Sequence, residues 1–292
     1  MNIRDLKYLI AVHDLHSFSK AAERCFVSQP TLSGQLKKLE DELGAVLIER
    51  STRQIHFTPL GNQVVALARE ALLAVDTVYN VAKAHKDPLS GDFHIGLIPT
   101  VGPFLLPKIM PALSQQFPKA KLFLYELKTD ELIQRLLKGE LDTVILAKQP
   151  WLFSMAETHL YYESMTLAAS EDNPLIDGVD QVALSVLEGQ SVLMLEDGHC
   201  LRDQAMGVCF SAGANEDERF KATSLDTLLH MIGTGAGMTL IPELACSMHI
   251  RGVRYVPFVD PPPKRQIVML TRNNSRRKTA LAAFAECIKE CA

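Results

Sequence analysis

The 292-residue chain contains no long apolar run, and no stretch reaches the ~18 residues that a membrane helix requires. Arg4, Asp5 and Lys7 interrupt the opening segment with charge, which argues against a secretory signal. A cytoplasmic protein without a membrane partner is the expectation. Six cysteines are far too few for a disulfide-stapled secreted domain. Because cytosolic thiols are normally kept reduced, any disulfide here is expected to be a signal or a catalytic state. A basic excess is also missing. The net charge is −4, so bulk charge gives no sign of the phosphate binding that usually marks nucleic-acid proteins. Residues 1 to 58 carry 8 Lys and Arg against 7 Asp and Glu, while the remainder carries 22 against 27, a weak asymmetry. What the chain does have is 47% hydrophobic and 22% charged residues, the balance of a folded protein with room for two or three domains.

Residues 2 to 43 read as three helices with short breaks. Ile3, Leu6 and Ile10, with Leu9 and Val12, recur at helical spacing and define a core-facing first helix. Ser17 or Ser19 suits the cap of a second, whose Phe18, Ala21, Ala22 and Cys25 share a face small enough for close helix approach. A tight turn at Phe26 and Val27 leads to Ser28 as the next N-cap and to Pro30, tolerated in a first turn where its missing N–H has no intrahelical partner. Leu32, Leu36, Leu39 and Leu43 form the expected buried stripe of this third helix. Its other face presents Gln29, Thr31, Ser33, Gln35, Lys37 and Lys38: amides and hydroxyls for base edges, ammonium groups for phosphates. Periodicity alone is equally consistent with a solvated face on a three-helix bundle.

Thr58 followed by Pro59 starts a long helix, in which Val64, Leu67, Ala71, Val75, Val78 and Ala82 recur at spacings of three or four. A helix of about 28 residues spans ~40 Å, and its stripe suits pairing with the same helix of a second chain. Pro88 to Gly91 reads as a hinge. From Phe93 onward strands alternate with helices, the signature of right-handed βαβ units in a parallel sheet. In such sheets ligands sit outside the carboxyl ends of the strands. Three turns lie there and bring Thr100, Thr129 and Cys200 toward one cleft, although each threonine also suits a plain helix cap.

Cys200 is the residue on which chemistry converges. Only a thiolate attacks peroxide, and the helix start, His199 before and Arg202 after are expected to depress the Cys200 pKa. The hydroxyls of Thr100 and Thr129 suit the task of holding the peroxide oxygens. The product is a sulfenic acid, which a second thiol can condense to a disulfide, and Cys209 is the nearest in sequence. If the residues between are helical, the two sulfurs start roughly 13 Å apart, whereas a disulfide needs α-carbons within about 7 Å. Bridging then requires residues 197 to 210 to refold, a means of converting oxidation into a new arrangement of subunits. A metal site made from His199, Cys200 and Cys209 matches no common zinc spacing, and no metal or other cofactor is expected.

The run Phe18 to Gly44 resembles the winged helix-turn-helix of LysR-type regulators throughout, and Leu47 to Phe57 resembles the family's wing. The segments His94 to Gly102 and Met194 to Phe210 resemble the peroxide-sensing members of that family. The resemblance implies an α/β chain: a winged helix-turn-helix over 1–58, a linker helix and hinge over 59–90, and a periplasmic-binding-protein-like regulatory domain over 91–292. That domain would have one lobe at about 91–163 and 269–292 and the other at about 164–268. It implies double-stranded promoter DNA as partner, contacted by Ser28, Gln29, Pro30, Thr31, Ser33, Gln35, Lys37, Lys38, Arg50 and Arg53. It also implies hydrogen peroxide as signal, a homodimer or homotetramer, RNA polymerase, and a glutaredoxin-type reductant. On this reading Cys200 is peroxidatic and Cys209 resolving, with Thr100 and Thr129 binding peroxide, His199, Arg202 and Arg265 in support, and Asp203 orienting Arg202. Cys25, Cys246, Cys287 and Cys291 are read as structural or incidental. Two readings compete: a regulator of the same fold under a small organic effector, and a thiol peroxidase or solute-binding protein without DNA. The second leaves residues 18 to 58 unexplained.

Overall fold

The computed structural model describes residues 1–50, 55–84, 89–151, 155–259 and 261–291, in two compact units divided after Lys86. The first unit opens with α1 (Ile3–Leu15), α2 (Phe18–Arg24) and α3 (Gln29–Leu43). Each start is set by a local cap that satisfies otherwise orphaned backbone N–H groups. Asn2 accepts from the N–H groups of Arg4 and Asp5 while Asp5 reaches back to Asn2, closing a capping box. Ser17, not Ser19, caps α2, and Ser28 caps α3. Between α2 and α3 the chain turns at Phe26, whose φ of 55° is left-handed.

Leu32, Leu36 and Leu39 are buried against Leu9, Val12, Ala21 and Ala22. Leu43, expected to complete the stripe, is instead 43% exposed. It closes the last turn of α3, where Gly44 ends the helix in a left-handed cap. A two-stranded sheet of β1 (Ile48–Arg50) and β2 (Ile55–Phe57) follows, antiparallel, with Ile48 opposite Phe57. One carboxylate oxygen of Glu40 accepts from the N–H groups of Leu47 and Ile48 at 2.9 and 3.0 Å, tying α3 to the strand entrance. The polar turn between the strands, including Arg53, and the Arg50 side chain lie outside the described residues. Thr58 caps the long helix α4 (Pro59–Ala84), its hydroxyl accepting from Gly61 N–H at 2.9 Å.

The second unit contains β3 (Gly91–Leu97), α5 (Gly102–Gln116), β4 (Ala120–Glu126), α6 (Thr129–Lys138), β5 (Thr143–Ala147), β6 (Ala156–Ser170), β7 (Ser191–Leu195), α7 (Cys200–Ser211), β8 (Asn215–Ala222), α8 (Leu225–Gly233), β9 (Met238–Pro242), β10 (Val253–Pro257), β11 (Lys264–Thr271) and α9 (Lys278–Cys291). Strands run in the order β4, β3, β5, β11, β6, β9, β7, β8, with β10 also on β6. Parallel pairing joins β3 to β4 and β5, and β7 to β8 and β9. The 15-residue β6 serves both lobes: residues 156–164 pair with β11, and residues 165–170 pair with β9 and β10. Two hydrophobic cores result, one around Phe93, Leu105, Leu132 and Phe284, the other around Leu167, Leu193, Leu229 and Ile241. The first belongs to lobe I and the second to lobe II. Within this unit Gly96 marks a tight approach, since a Cβ there would meet Leu132 Cδ2 at 2.4 Å.

Candidate functional site

Four strand ends converge in the second unit, as the rule for open α/β sheets predicts. After β3 comes Thr100, after β4 Thr129, at the end of β5 Ala147, and after β7 Cys200. Neither threonine caps its helix, because the caps of α5 and α6 are Val101 and Lys128. Thr100 and Thr129 are 3% and 5% exposed, beside Cys200 at 3%. Thr129 Oγ1 has no well-formed hydrogen-bond partner, so its hydroxyl remains available to the Cys200 thiol, whose ionised form it favours. Ala147 favours that form in the same way through its backbone.

The expected depression of the Cys200 pKa is overturned. Burial pushes the thiol up, and that outweighs the opposing pull of Arg265, Thr129 and Ala147. The two groups expected to supply positive charge do not. Burial, with Lys128 nearby, pushes the His199 pKa down, so the imidazole is neutral at pH 7. Arg202 spends its guanidinium elsewhere: Nε donates to Asp197 Oδ1 at 2.8 Å, while Nη1 and Nη2 donate to Glu216 at 2.7 and 2.9 Å. Those carboxylates also correct the expectation for Asp203, which is not the partner that orients Arg202. Asp203 instead raises the Cys200 pKa through its charge.

The cation that does act on the thiol is Arg265, with a side chain 0% exposed on β11. It donates from Nη1 to Thr100 Oγ1 at 3.1 Å, from Nη2 to the Thr100 carbonyl at 2.8 Å, and from Nε to Glu163 Oε2 at 2.7 Å. Glu163, on β6, was not among the residues singled out in the sequence, and its other oxygen accepts from Leu244 N–H at 3.0 Å. Lys128 is a second such residue. Its ammonium pairs with Glu196 and donates to the Asp197 carbonyl at 3.2 Å, holding the turn that precedes Cys200. In that turn Gly198 has a φ of 89°, which a side chain would strain.

Helix α7 links the two cores. Cys200 at its first residue packs into the lobe I core, while Leu201, Ala205 and Cys209 pack into the lobe II core. Burial pushes the Cys209 thiol up to about 12. Both thiols are free, and nine steps of regular helix place their α-carbons roughly 13 Å apart along the axis. Among the described residues no group of three or more potential ligands could hold a metal ion.

In the first unit the polar face of α3 is presented to solvent, with Gln29, Pro30, Thr31, Lys37 and Lys38 exposed and Ser33 and Gln35 half-buried. The Ser28 hydroxyl is 2.7 Å from that of Thr31, so the first turn offers a pre-ordered hydroxyl pair. A polar α3 face of this kind can meet base edges and phosphates in a major groove.

The model of the lysR family of bacterial regulatory helix-turn-helix proteins matches residues 3–62, and that of the LysR substrate binding domain matches residues 86–292. Over 292 residues the chain is 48% identical to the hydrogen peroxide-inducible genes activator of Dickeya chrysanthemi, covering 99% of this chain and 95% of that protein. It is 47% identical over 291 residues to the DNA-binding transcriptional dual regulator OxyR of Escherichia coli, with the same coverage. A full-length OxyR structure from Pseudomonas aeruginosa matches with a TM-score of 0.79 at 32% identity, covering 100% of this chain and 99% of that one. The oxidized form of OxyR matches with a TM-score of 0.64 at 47% identity, over 70% of this chain and 97% of that one. The chain belongs to the LysR family of DNA-binding transcriptional regulators, in the group of the hydrogen peroxide-inducible genes activators.

Proposed function

We propose that hydrogen peroxide oxidises Cys200, that Cys209 then bridges to it, and that the resulting refolding of α7 resets the chain's contacts with promoter DNA. The observation that carries this reading is the placement of the two thiols at opposite ends of one helix and in two different cores. In the first step the Cys200 thiolate attacks one peroxide oxygen, an S–O bond forms, the O–O bond breaks, and the departing hydroxide leaves as water after taking up a proton. Thr129 and Thr100 serve as hydroxyl partners for the peroxide oxygens, and Arg265 stabilises the negative charge. In the second step the Cys209 sulfur displaces hydroxyl from the sulfenic acid, water is lost, and the disulfide forms. Its α-carbons must approach to about 7 Å or less, so α7 unwinds.

Ser28, Gln29, Pro30, Thr31, Ser33, Gln35, Lys37 and Lys38 form the DNA-reading face, with Arg50 and Arg53 from the wing. The assembly is a homodimer or homotetramer paired through α4 and acting in the cytoplasm on RNA polymerase. A glutaredoxin-type dithiol returns it to the reduced state by exchange. Peptide mapping after brief treatment with one equivalent of peroxide tests the central claim: a Cys200 to Cys209 bridge is expected, with a changed promoter footprint. The burial and raised pKa of Cys200 favour one competitor, a regulator governed by an organic effector in which Cys200 only packs. Unchanged DNA binding and two free thiols after peroxide would select it.

A further inference from the structure

Glu163 is a charged side chain inside the protein, 2% exposed, and its only described cationic partner is Arg265, itself fully buried. A buried ion pair does little for stability relative to an apolar replacement, so its retention asks for another explanation. The geometry supplies one. The guanidinium makes two hydrogen bonds to Thr100 and is anchored on its far side by Glu163. Thr100 and Arg265 are also the two groups that the reaction at Cys200 requires to be fixed. Glu163 in turn accepts from the N–H of Leu244, at the turn that leaves β9 in lobe II. Both carboxylate oxygens therefore receive donors, and no neutral amide can satisfy both, because one end of an amide is itself a donor.

We infer that Glu163 is a positioning residue for the peroxide reaction: it holds Arg265 and Thr100 in reacting geometry and makes that geometry depend on the seating of lobe II at Leu244. The inference rests on the peroxidatic reading of Cys200. Glu163 touches neither the thiol nor peroxide, and its charge alone acts in the opposite sense, since an anion near Arg265 partly cancels the cation's pull on the thiolate. Removal of Glu163 thus separates field from placement. Losing the negative charge favours the thiolate, while losing the anchor lets the guanidinium and the Thr100 hydroxyl drift from the peroxide oxygens. The charged and titratable groups around the thiol are Arg265 and Asp203, with Glu163 and Tyr161 behind Arg265.

The test is the pH dependence of Cys200 oxidation in the full-length chain, measured by stopped flow with hydrogen peroxide for the parent, Glu163→Gln and Glu163→Asp. For Glu163→Gln the plateau rate at high pH, where the thiol is fully ionised, is expected to fall roughly 10- to 100-fold, the usual cost of a misplaced catalytic group. Because it is read at full ionisation, the plateau does not depend on how the lost anion and the displaced cation balance in the Cys200 pKa. Glu163→Asp keeps the charge and recovers part of the plateau. A role in stability alone lowers the melting temperature but leaves the plateau at the parent value, and that outcome overturns the inference. If Glu163→Gln does not fold, Glu163→Asp decides by the same plateau, because its shorter side chain cannot hold both Arg265 and Leu244. Failure of the peroxidatic reading is distinct: the parent itself then shows no rapid oxidation at Cys200.

Discussion

At the scale of single residues, burial pushes the Cys200 thiol up against the opposing pull of Arg265, Thr129 and Ala147. Folding raises its pKa above the ordinary thiol value, through burial first, so the reactive thiolate is a minority species at pH 7. Its rate with peroxide is expected to rise with pH through and beyond the ordinary thiol range, and a flat profile from pH 7 to 10 would contradict the assignment. Replacing Cys200 with Ser should abolish the rapid phase, whereas Cys209→Ser should leave it intact and stop at sulfenic acid, detectable by dimedone labelling. Cys209, held near 12, carries a stability signature as well. A thiol raised in the folded state stays protonated there while the unfolded chain ionises near 9, so its contribution is present below pH 9 and lost as pH climbs toward 12. Cys209→Ala should therefore flatten part of the alkaline decline in melting temperature, after correction for the loss of packing.

The same scale shows what a sequence can and cannot reveal. Ser28, Pro30 and the αL glycine after Leu43 act on their own neighbours, so their roles are written locally. The wrong expectation for Arg202 came from using neighbourhood along the chain as a proxy for neighbourhood in space. Glu216 lies on β8, 14 residues away, and takes the guanidinium bidentately. Glu163 was invisible for the same reason, because 102 residues separate it from Arg265 and a charged residue in a strand usually faces water. Only the antiparallel register that sets Arg265 opposite Glu163 brings them together.

At the scale of elements, α7 is the part that the proposed bridge would change. Its start is fastened by Arg202 to Asp197 and Glu216 and by Lys128 to the preceding turn, and its buried face is anchored in lobe II by Leu201, Ala205 and Cys209. Gly207, exposed in the middle of the helix, weakens it. Glycine in a helix interior costs about 1 kcal/mol relative to alanine, and a Cβ at this position meets nothing within 4 Å. Gly207→Ala is therefore expected to stabilise the reduced helix without a clash and to oppose the refolded disulfide form. An effect of about 1 kcal/mol corresponds to a reduction potential roughly 20 mV more oxidising. Titration in glutathione redox buffers checks this, and an unchanged or more reducing potential would mean that α7 does not unwind on bridging. The strand and helix alternation of the sensor was readable from pattern, as was the helix bearing both cysteines. The alternation alone does not show that one strand, β6, runs through both lobes, since its first half is largely half-exposed while its second half is buried.

At the scale of the molecule, the proposed pairing of two chains has a physical basis in α4. This 26-residue helix uses one stripe within its own unit, burying Val65 and Ala68 in the core built on α1. A second stripe is left uncovered: Leu60, Leu67 and Val78 are 46%, 64% and 66% exposed, with Ala71 exposed between them. Their separations of seven, four and seven residues keep them on one side of a helix, the seam of a two-stranded coil. Covering each large side chain is worth about 1.5–3 kcal/mol, so a symmetric pair of such helices has ample driving force to associate. A helix-turn-helix pair bound to two half-sites gains from that fixed spacing, which a monomer lacks. Leu67→Asp places a carboxylate in the seam of both chains, where the two charges meet their own copies. The expected outcome is dissociation by at least one level of assembly in sedimentation velocity, with promoter affinity lowered by an order of magnitude or more, while Cys200 still reacts with peroxide at the parent rate. An unchanged sedimentation coefficient would remove α4 from the interface and force the subunits to pair through the sensor alone.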